Sequence, residues 1–560
     1  MPDFKSETAQ PPLTPLKENY KLKIEHPTSE IKTMEASCIS YKDTGYFSQT
    51  VIDYIGDKAE LRPFYNHRPD FNGFADLLKT KKVIADRKVL VEVLNEQYDI
   101  VSDQVNSNIN LLTLENTYTI TTGHQLNIFA GPLYFIYKIV TAVKLSRQLK
   151  EKFPDKNFVP VYWMASEDHD FAEINYTNIG GKKVHWWYEA SGATGRLNPD
   201  TIREALNQYK GVLGMEQHAP ELAQIVETAY SKFDKLADAT RYMVNALFGQ
   251  YGLVIIDADD HRFKQQFAPI MAQDITGQNS FKNISATIDQ LEKLGEDIQV
   301  NPREINFFYL KEHIRERIVL EGNDYKVLNT DISFTKAELL EEIKRHPENF
   351  SPNVVMRPVY QEVILPNIAY IGGGSEIVYW LELKSNFEYY GVDFPILILR
   401  NSGLVVRKEL AAKISKMSLT NADLFKSADI IKSGWVKKHS EYNLSLAEEW
   451  RELSSIFERV KLRAYKIDAT LAPSAEGIQA RLKDGIDNLE KKLVKAEKAN
   501  FHTRLEHVEY LKNALFPKNG LQERTENFGL FYVKWGQTFI DELIRNFQPL
   551  DFEFTVLTEK

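Results

Sequence analysis

Cysteine is nearly absent from this chain, because Cys38 is the only one among 560 residues. A single thiol excludes intramolecular disulfides and thiolate zinc sites, and such scarcity is typical of proteins from a reducing cytoplasm. Burial statistics for cysteine favour a structural role for Cys38 over a nucleophilic one. We therefore expect a cytoplasmic protein whose chemistry does not depend on its own thiol.

Long apolar runs, long basic blocks and the Walker sequence GxxxxGK[ST] are missing as well. No apolar run approaches the roughly 20 residues that a membrane-spanning helix needs. A formal net charge of −9, without a basic block, offers no electrostatic surface for nucleic acid. The sequence therefore predicts neither a membrane nor a nucleic acid as partner, and it has no P-loop.

The remaining composition is that of a large globular protein. The chain is 43% hydrophobic and 12% aromatic, which is enough for a large core with accessory domains. The first 33 residues differ, because they are polar, contain several prolines and lack the apolar core of a signal peptide. We expect residues 1–33 to be a disordered extension or an artefact of gene prediction, with Met34 as the true start.

The most informative stretch begins with a β-branched run at 118–122, which predicts a buried strand. Gly131-Pro132 then predicts the start of a helix with near-helical apolar spacing, and the apolar run 158–165 predicts a parallel strand. In open α/β sheets, ligands bind beyond the carboxyl ends of the strands. We expect the polar residues after these two strands, at 123–125 and 167–170, to share one cleft.

Further apolar segments extend this sheet. The run 251–257 predicts another buried strand, which places Asp257, Asp259 and Asp260 at the same carboxyl edge. Apolar segments at 354–357 and 364–371 and a strand at 395–400 complete the core. Polar stretches near 182–238 and 273–349 are predicted as insertions. The predicted fold class is α/β, with a Rossmann-like parallel-sheet core across 34–436.

A glycine loop, Gly372-Gly373-Gly374-Ser375, follows the predicted strand 364–371. The glycines allow several N–H groups to turn toward one point, and Ser375 is predicted to cap a helix that begins near Glu376. Such a helix start favours a phosphate or a carboxylate. The alternative is a tight turn without a ligand.

His124, between Gly123 and Gln125, lies on the predicted strand-to-helix loop. Its imidazole could bind a phosphate or transfer a proton, because its charge changes near neutral pH; the alternative is a histidine that only caps the loop. The cluster after the second strand offers ligand types suited to magnesium, zinc or a substrate amine. A structural role for these paired charges is the alternative. The cluster consists of Glu167, Asp168, His169 and Asp170.

Arg357, Gln361 and Glu362 lie in a mainly apolar stretch, where charged residues are paired or functional. Arg357 could hold a carboxylate through two hydrogen bonds, and an internal Arg357–Glu362 pair is the alternative. Trp380 is predicted to be a core residue. No metal site is assigned.

Beyond Lys437, apolar residues recur at alternating spacings of four and three, the pattern of a coiled coil. One such stripe runs from 446 to 471 and a second from 478 to 496, on either side of Pro473. We predict two long antiparallel helices within 437–516 that form a dimerisation arm, with packing against the chain's own core as the alternative. Residues 517–560 are predicted to return to the core.

Five segments, in this order, resemble one known family, the cysteine-adding enzymes of bacillithiol biosynthesis. The matching segments are LRPFY at 61–65, TGHQLNIFAGPLY at 122–134, VPVYWMASEDHDFAEIN at 159–175, SPNVVMRPVYQEVILPNIAYIGGGSEIVYW at 351–380 and LQERTENF at 521–528. The resemblance spans about residue 34 to the C-terminus. It implies a Rossmann-like core with two connecting-peptide insertions, similar to class I aminoacyl-tRNA synthetases, and a coiled-coil arm that forms a homodimer.

The resemblance also implies an activity, a ligase that joins the carboxyl of L-cysteine to the amine of glucosaminyl malate. A synthetase-like core suggests that ATP activates the carboxylate. The loops 123–125 and 372–375 would then hold phosphates, and Asp168, His169 or His124 would act in catalysis. The candidate substrate-binding residues are Glu167, Asp170, Asn175, Arg357, Gln361 and Glu376.

Two other classes of function remain open at this point, because a fold does not fix a function. A nucleotidyltransferase acting on another small molecule would release pyrophosphate without cysteine. A non-catalytic scaffold would recruit partners through the coiled coil.

Overall fold

The structure is a computed structural model, and it describes residues 33–98 and 102–560. The predicted extension 1–33 therefore lies outside the described residues except for Thr33. Within the described ranges, no helix is long and apolar enough to cross a membrane.

The strands of the described residues, in chain order, are β1 (Met34–Ser40), β2 (Thr117–His124), β3 (Asn157–Met164), β4 (Tyr176–Ile179), β5 (Lys182–His185), β6 (Val254–Asp257), β7 (Phe307–Lys311), β8 (Ile314–Glu321), β9 (Asp324–Val327), β10 (Ser333–Thr335), β11 (Phe350–Pro352), β12 (Asn367–Gly372), β13 (Ile396–Leu399), β14 (Gly403–Val406) and β15 (Glu553–Glu559).

The α-helices are α1 (Tyr41–Thr44), α2 (Gln49–Ile55), α3 (Phe71–Thr80), α4 (Arg87–Gln97), α5 (Asp103–Leu111), α6 (Leu133–Lys152), α7 (Phe171–Ile174), α8 (Arg203–Leu213), α9 (Ala219–Lys232), α10 (Leu236–Phe248), α11 (His261–Gly277), α12 (Asn279–Lys293), α13 (Lys336–Arg345), α14 (Arg357–Ile364), α15 (Gly374–Glu382), α16 (Lys384–Tyr390), α17 (Lys408–Lys416), α18 (Asn421–Leu424), α19 (Ala428–His439), α20 (Ala447–Ile467), α21 (Ala472–Asn500), α22 (His502–Leu515), α23 (Gln522–Thr525), α24 (Gly529–Trp535) and α25 (Gln537–Asn546).

The core is a parallel sheet of five strands in the order β13-β12-β2-β3-β6. Every residue of β2 is buried, as expected for a strand that carries neighbours on both edges and helices on its faces. In the register of β2 and β3, Gly123 lies opposite Trp163 and His124 opposite Met164. The carboxyl ends of these strands therefore meet at one edge, which confirms the predicted Rossmann-like parallel sheet.

Two local predictions were wrong, and a third, the helix start at Gly131-Pro132, is confirmed to within one residue. The apolar segment 354–357 is a turn that leads into α14, because Pro358 lacks an N–H and fits the first turn of a helix. The next strand, β12, consequently begins at Asn367. Helix α6 begins at Leu133 with Pro132 as its N-cap, so the proline precedes the first helical residue.

Two regions leave the parallel sheet. Between β3 and β6 the chain forms the β4–β5 hairpin and then α8, α9 and α10. Between β6 and β12 it forms an antiparallel sheet of five strands in the order β10-β9-β8-β7-β11. This second sheet meets the carboxyl edge of the core, because Arg315 of β8 contacts Asp168 and His169 after β3.

The C-terminal part combines a helical arm with a return to the core. Strand β15 pairs antiparallel with β1 and parallel with β14. Helices α20 and α21 pack against each other, and Pro473 lies in the first turn of α21. Helix α20 has no buried residue, and within the predicted stripe Val460 and Ile467 are 44% and 75% exposed.

Candidate active site

A cavity of about 420 Å³ lies at the carboxyl edge of the parallel sheet. Predicted site residues that line it are Gly123, His124, Gln125, Glu167, Asp168, Arg357, Gly373, Gly374, Ser375 and Glu376. Cavity-lining residues that the sequence did not single out include Tyr134, Lys138, Glu173, Arg315, Tyr379, Arg400 and Arg524. The two polar loops that were expected to share a cleft do so.

The loop between β2 and α6 holds a strained backbone beside the cavity. Phe129 and Ala130 have positive φ angles of 54° and 59°, which side chains disfavour. The buried amide of Asn527 donates to the carbonyls of Phe129 and Gly131 at 2.9 and 2.8 Å. Asn527 belongs to the LQERTENF segment, so the C-terminal return of the chain fixes this loop.

His124 ends β2 and is 8% exposed. Its ring stacks on Phe135 at 4.7 Å between centroids and meets Tyr134 edge-on at 5.2 Å. Burial, together with the positive charges of Lys138 and Arg400, holds the pKa of His124 well below its usual value. The imidazole is therefore neutral at pH 7. A neutral imidazole can form hydrogen bonds with a ligand. It does not change charge near neutral pH, which was the basis for the proton-transfer role suggested by the sequence.

The glycine loop is already engaged with an internal carboxylate. The Gly373 N–H donates to Oε2 of Glu376 at 2.8 Å, and the Tyr370 hydroxyl donates to Oε1 at 2.7 Å. Gly373, instead of Ser375, is the N-cap, because Glu376 is the third residue of α15 and reaches back to it. The prediction that Ser375 caps this helix was wrong.

Lys138 links the two loops across the cavity. Its ammonium donates to the Gly123 carbonyl at 2.8 Å and forms an ion pair with Glu376. Burial raises the pKa of Glu376, but Lys138 and the Gly373 N–H outweigh it, so the net pKa falls below the ordinary value. The sequence offered a signal for Lys138 that was missed, since it is the only charged residue in the apolar run LYFIYKIV.

Arg357 begins α14 and is held between two aromatic rings. Its guanidinium carbon lies 5.6 Å from the Trp163 centroid and 5.5 Å from the Tyr370 centroid. Nη1 donates to Oε1 of Gln361 at 2.9 Å, whereas the buried Nη2 has no hydrogen-bond partner among the described residues. Gln361 thus positions the arginine from behind the cavity.

Glu362 does not form the internal pair with Arg357 that was weighed as the alternative. Its Oε1 accepts hydrogen bonds from Gln361 and Asn367, and its Oε2 lies 3.7 Å from the Lys81 ammonium. Arg357 therefore keeps a donor without an internal carboxylate, which is the state expected of an anion-binding arginine.

Arg400 follows β13 and adds a further buried cation. It pairs with Glu523 at 2.7 Å, with the two side chains 3% and 0% exposed, and its Nε has no partner among the described residues. Glu523 belongs to the LQERTENF segment. Sequence reading placed residue 400 at the end of a predicted strand on the ligand edge, yet it did not assign Arg400 to the site.

Asp168 lies in the turn after β3 and lines the same cavity. Its Oδ2 accepts a hydrogen bond from Gln125 at 2.6 Å, and its Oδ1 lies 3.4 Å from Nη1 of Arg315. That arginine nitrogen is 2.6 Å from Nδ1 of His169. The turn removes the strand alternation that would have put Asp168 and Asp170 on one face.

Glu167, with its side chain 12% exposed, forms an ion pair with the fully buried Lys264. Burial raises the pKa of Glu167 to about 7, with Lys264 opposing the rise. Asp257 accepts a hydrogen bond from Ser166, and Asp259 pairs with Arg196 at 2.7 Å. These acids are mostly held by neighbours of opposite charge. The described residues contain no group of three or more side chains arranged to hold a metal ion.

Five predicted site residues lie outside the cavity lining. Gly372 ends β12, and its carbonyl accepts a hydrogen bond from the Arg400 N–H at 2.8 Å. Asp170 and Asn175 are the two caps of α7. His169 lines a neighbouring chamber, and Gln361 acts through Arg357.

Two family models match successive parts of the chain. The N-terminal Rossmann-like domain of bacillithiol biosynthesis BshC matches residues 34–401, and the C-terminal coiled-coil domain of BshC matches residues 403–559. Together they span the parallel sheet, the cavity and the helical arm.

Relatives named "Putative cysteine ligase BshC" cover nearly the whole chain. The protein from Flavobacterium johnsoniae is 44% identical over 530 residues, which is 94% of this chain and 100% of that protein. The one from Christiangramia forsetii is 42% identical over 534 residues, 94% of this chain and 99% of that protein.

Methionyl-tRNA synthetase from Mycobacterium tuberculosis, solved with methionyl-adenylate, is 12% identical over 76% of this chain and 91% of its own. Its TM-score of 0.21 is too low to support an argument. The family models and the relatives show that this chain belongs to the BshC family of bacillithiol biosynthesis.

Proposed function

We propose that this protein is a cysteine ligase that joins the carboxyl of L-cysteine to the amine of glucosaminyl malate. Membership of the BshC family and the name of its relatives support the reaction class. The cavity supports the substrate class, because its buried cations suit a ligand with carboxylates. The observation that carries the proposal is Arg357, whose buried Nη2 has no partner among the described residues.

The carboxylates of the malate group would meet the basic side of the cavity. Arg357 and Arg400 both line it, and each keeps one guanidinium nitrogen without a partner in the described part of the chain. Planar guanidiniums bind carboxylates through paired hydrogen bonds, and burial strengthens such contacts. Lys138 is already paired with Glu376. It would therefore contribute positive potential and position the two loops, and would not bind the malate carboxylates directly.

The attacking amine would meet Asp168, which lines the same cavity. In amide formation, the amine nitrogen bonds to the activated carboxyl carbon and loses a proton. The leaving group departs with the electrons of the broken C–O bond. Asp168 would accept that proton, while Gln125 and Arg315 hold its two oxygens in place. Glu167 fits this role less well because Lys264 already pairs with it.

Activation of the cysteine carboxylate requires a good leaving group, which ATP supplies when bound. The glycine loop fits a phosphate only in part, because the Gly373 N–H is occupied by Glu376. The first-turn amides of α15 and the Ser375 hydroxyl are the groups there that remain to meet a phosphate. Gln125 would assist only by giving up its bond to Asp168.

We further propose a homodimer formed through the arm. Large apolar side chains of the predicted stripe on α20 and its C-terminal continuation are exposed, with Val460 at 44%, Ile467 at 75% and Leu471 at 45%. The facing part of α21 adds Ile478, Leu482 and Leu489 at 40–48%. A second copy would bury these stripes through coiled-coil packing.

The direct test is a purified reaction with L-cysteine, glucosaminyl malate and ATP, followed by mass spectrometry. The expected product has the summed mass of the two substrates minus water. Arg357→Met should raise the KM for glucosaminyl malate about tenfold or more, since a lost charged hydrogen bond costs about 1.5–3 kcal/mol. The control Arg345→Met, on the exposed end of α13, should leave it unchanged.

Cysteine-independent release of pyrophosphate without an amide product would contradict the ligase assignment and favour a nucleotidyltransferase. An unchanged KM in Arg357→Met, with normal folding, would remove the arginine from substrate binding.

A further inference from the structure

A second chamber of about 330 Å³ adjoins the main cavity. The two spaces share Asp168, Arg315, Asn353 and Val354 as a common wall. The remaining lining comes chiefly from strands β7 and β8 and from the segment before β7. The chamber is therefore built by the antiparallel sheet, whereas the main cavity is built by the parallel sheet.

Three guanidiniums line this chamber. Arg315 and Arg317 are two residues apart on β8, so their side chains leave the same face of the strand, and Arg303 comes from the segment before β7. Arg315 is held in place, with its guanidinium carbon 4.0 Å from the Phe308 centroid and with Asp168 and His169 as partners. The side chains of Arg303 and Arg317 have no hydrogen bond or ion pair among the described residues.

The charges do not balance inside the chamber. Asp168 is the one carboxylate in its lining, against the three arginines Arg303, Arg315 and Arg317. The arginines and Asp168 together leave the lining with two uncompensated positive charges. Three like charges that line one chamber repel one another, and a bound anion would offset that repulsion. A dianion would neutralise the chamber.

We infer that the arginine chamber, lined by Arg303, Arg315 and Arg317, binds a phosphate-bearing group. Guanidinium forks match phosphate oxygens, and a phosphate or pyrophosphate group supplies the two negative charges that a single carboxylate does not. The group is either the polyphosphate tail of a nucleotide that extends from the main cavity or a free inorganic anion. The site does not depend on the proposed ligase reaction.

Calorimetric titration of the full-length protein tests this site, with inorganic pyrophosphate, inorganic phosphate, ATP and adenosine as probes. Pyrophosphate should bind to the wild type, and its affinity should fall about tenfold or more in the double variant Arg303→Gln/Arg317→Gln, because charged hydrogen bonds are lost. Arg345→Gln removes one positive charge from an exposed helix of the same insertion, which matches the single variant Arg303→Gln, and it should bind like the wild type. Adenosine affinity should not differ between the double variant and the wild type.

The pattern across probes identifies the source of the phosphate. A parallel loss of ATP and pyrophosphate affinity assigns the chamber to a nucleotide tail, and a loss for inorganic anions alone assigns it to a free anion. Absence of pyrophosphate, phosphate and ATP binding to the wild type overturns the inference, as does equal affinity in the double variant. Arg303 is exposed, so the single variant Arg303→Gln gives the same comparison if the double variant does not fold.

The outcome is separable from the proposed function. A wild-type protein that binds pyrophosphate through this chamber but forms no cysteine amide keeps the phosphate site and loses the ligase assignment. A protein that forms the amide while the double variant binds all probes normally keeps the ligase and loses the phosphate site.

Discussion

The parallel-sheet core and the helical arm differ in which side chains they bury and which they expose. In the core, charged groups are buried and paired, as in Arg400 and Glu523, which are 3% and 0% exposed. In the arm, apolar groups are exposed, and α20 has no buried residue. The core is thus completed by its own chain, while the arm presents apolar surface that only another surface can cover.

This contrast predicts which kind of substitution should affect each region most. Core positions should respond to the loss of a single charge, because the partner is then left buried without compensation. Arm positions should tolerate charge loss and respond instead to the loss of apolar surface, through association. The following predictions test that division.

The largest effect is expected from Glu523→Ala in the core. Removing this carboxylate leaves Arg400 buried without its charge partner and the Gly403 N–H without an acceptor. The free energy of unfolding should fall by about 3–5 kcal/mol, measured by urea denaturation. Glu476→Ala is the matched control, since it removes the exposed pair with Lys461 in the arm and should change stability little. Equal losses of unfolding free energy in the two variants would contradict the predicted difference between buried core pairs and exposed arm pairs.

An intermediate effect is expected from the pH dependence of Glu382. This side chain is fully buried at the end of α15 and accepts hydrogen bonds from the Gln299 and Val300 N–H groups. Burial raises its pKa to about 7. The raised pKa means that the folded state favours the protonated form, so its stabilising contribution is complete below pH about 4.5 and is lost as the pH rises through 7.

Glu382→Gln should therefore gain stability relative to the wild type as the pH rises. The difference between the two unfolding free energies should change by about 3 kcal/mol between pH 4.5 and pH 8. Urea denaturation at both pH values measures it. A constant difference across this range would show that burial does not shift the Glu382 carboxyl.

The smallest effect on stability is expected from Ile478→Ser/Leu482→Ser in the arm. Both side chains are at least 40% exposed, so the monomer should lose no more than about 0.5 kcal/mol. The association state should change from dimer to monomer, as measured by analytical ultracentrifugation. A dimer that persists in this variant would place the interface elsewhere, and a collapse of stability would show that the stripe packs against the chain's own core.

Sequence patterns predicted the parts of the fold that depend on local order. The β-branched run at 118–122 lies within β2, and the Gly-His-Gln segment lies at its carboxyl end because that position follows from strand topology. The segment 354–357 was misjudged, since apolar residues before a proline suit either a strand or a helix start. Only the position of Pro358 in the first turn of α14 distinguishes them.

The site itself was predictable only for residues that follow strands. Arg315 comes from β8 of the antiparallel sheet, and Glu523 comes from more than 100 residues beyond Arg400. No local pattern reports such long-range contacts. The use of Gly373 as a cap for Glu376 was also hidden, because a capping box with glycine leaves no side-chain signal at its first position.

Thiol profiling of a strain that lacks this gene tests the proposed attachment of cysteine to glucosaminyl malate. This strain should lose bacillithiol and accumulate glucosaminyl malate. Wild-type protein should restore the thiol, whereas Asp168→Asn at equal abundance should restore less than about a tenth of it, because proton transfer contributes at least that much. An unchanged thiol profile in the deleted strain would rule out the proposed cysteine ligase function.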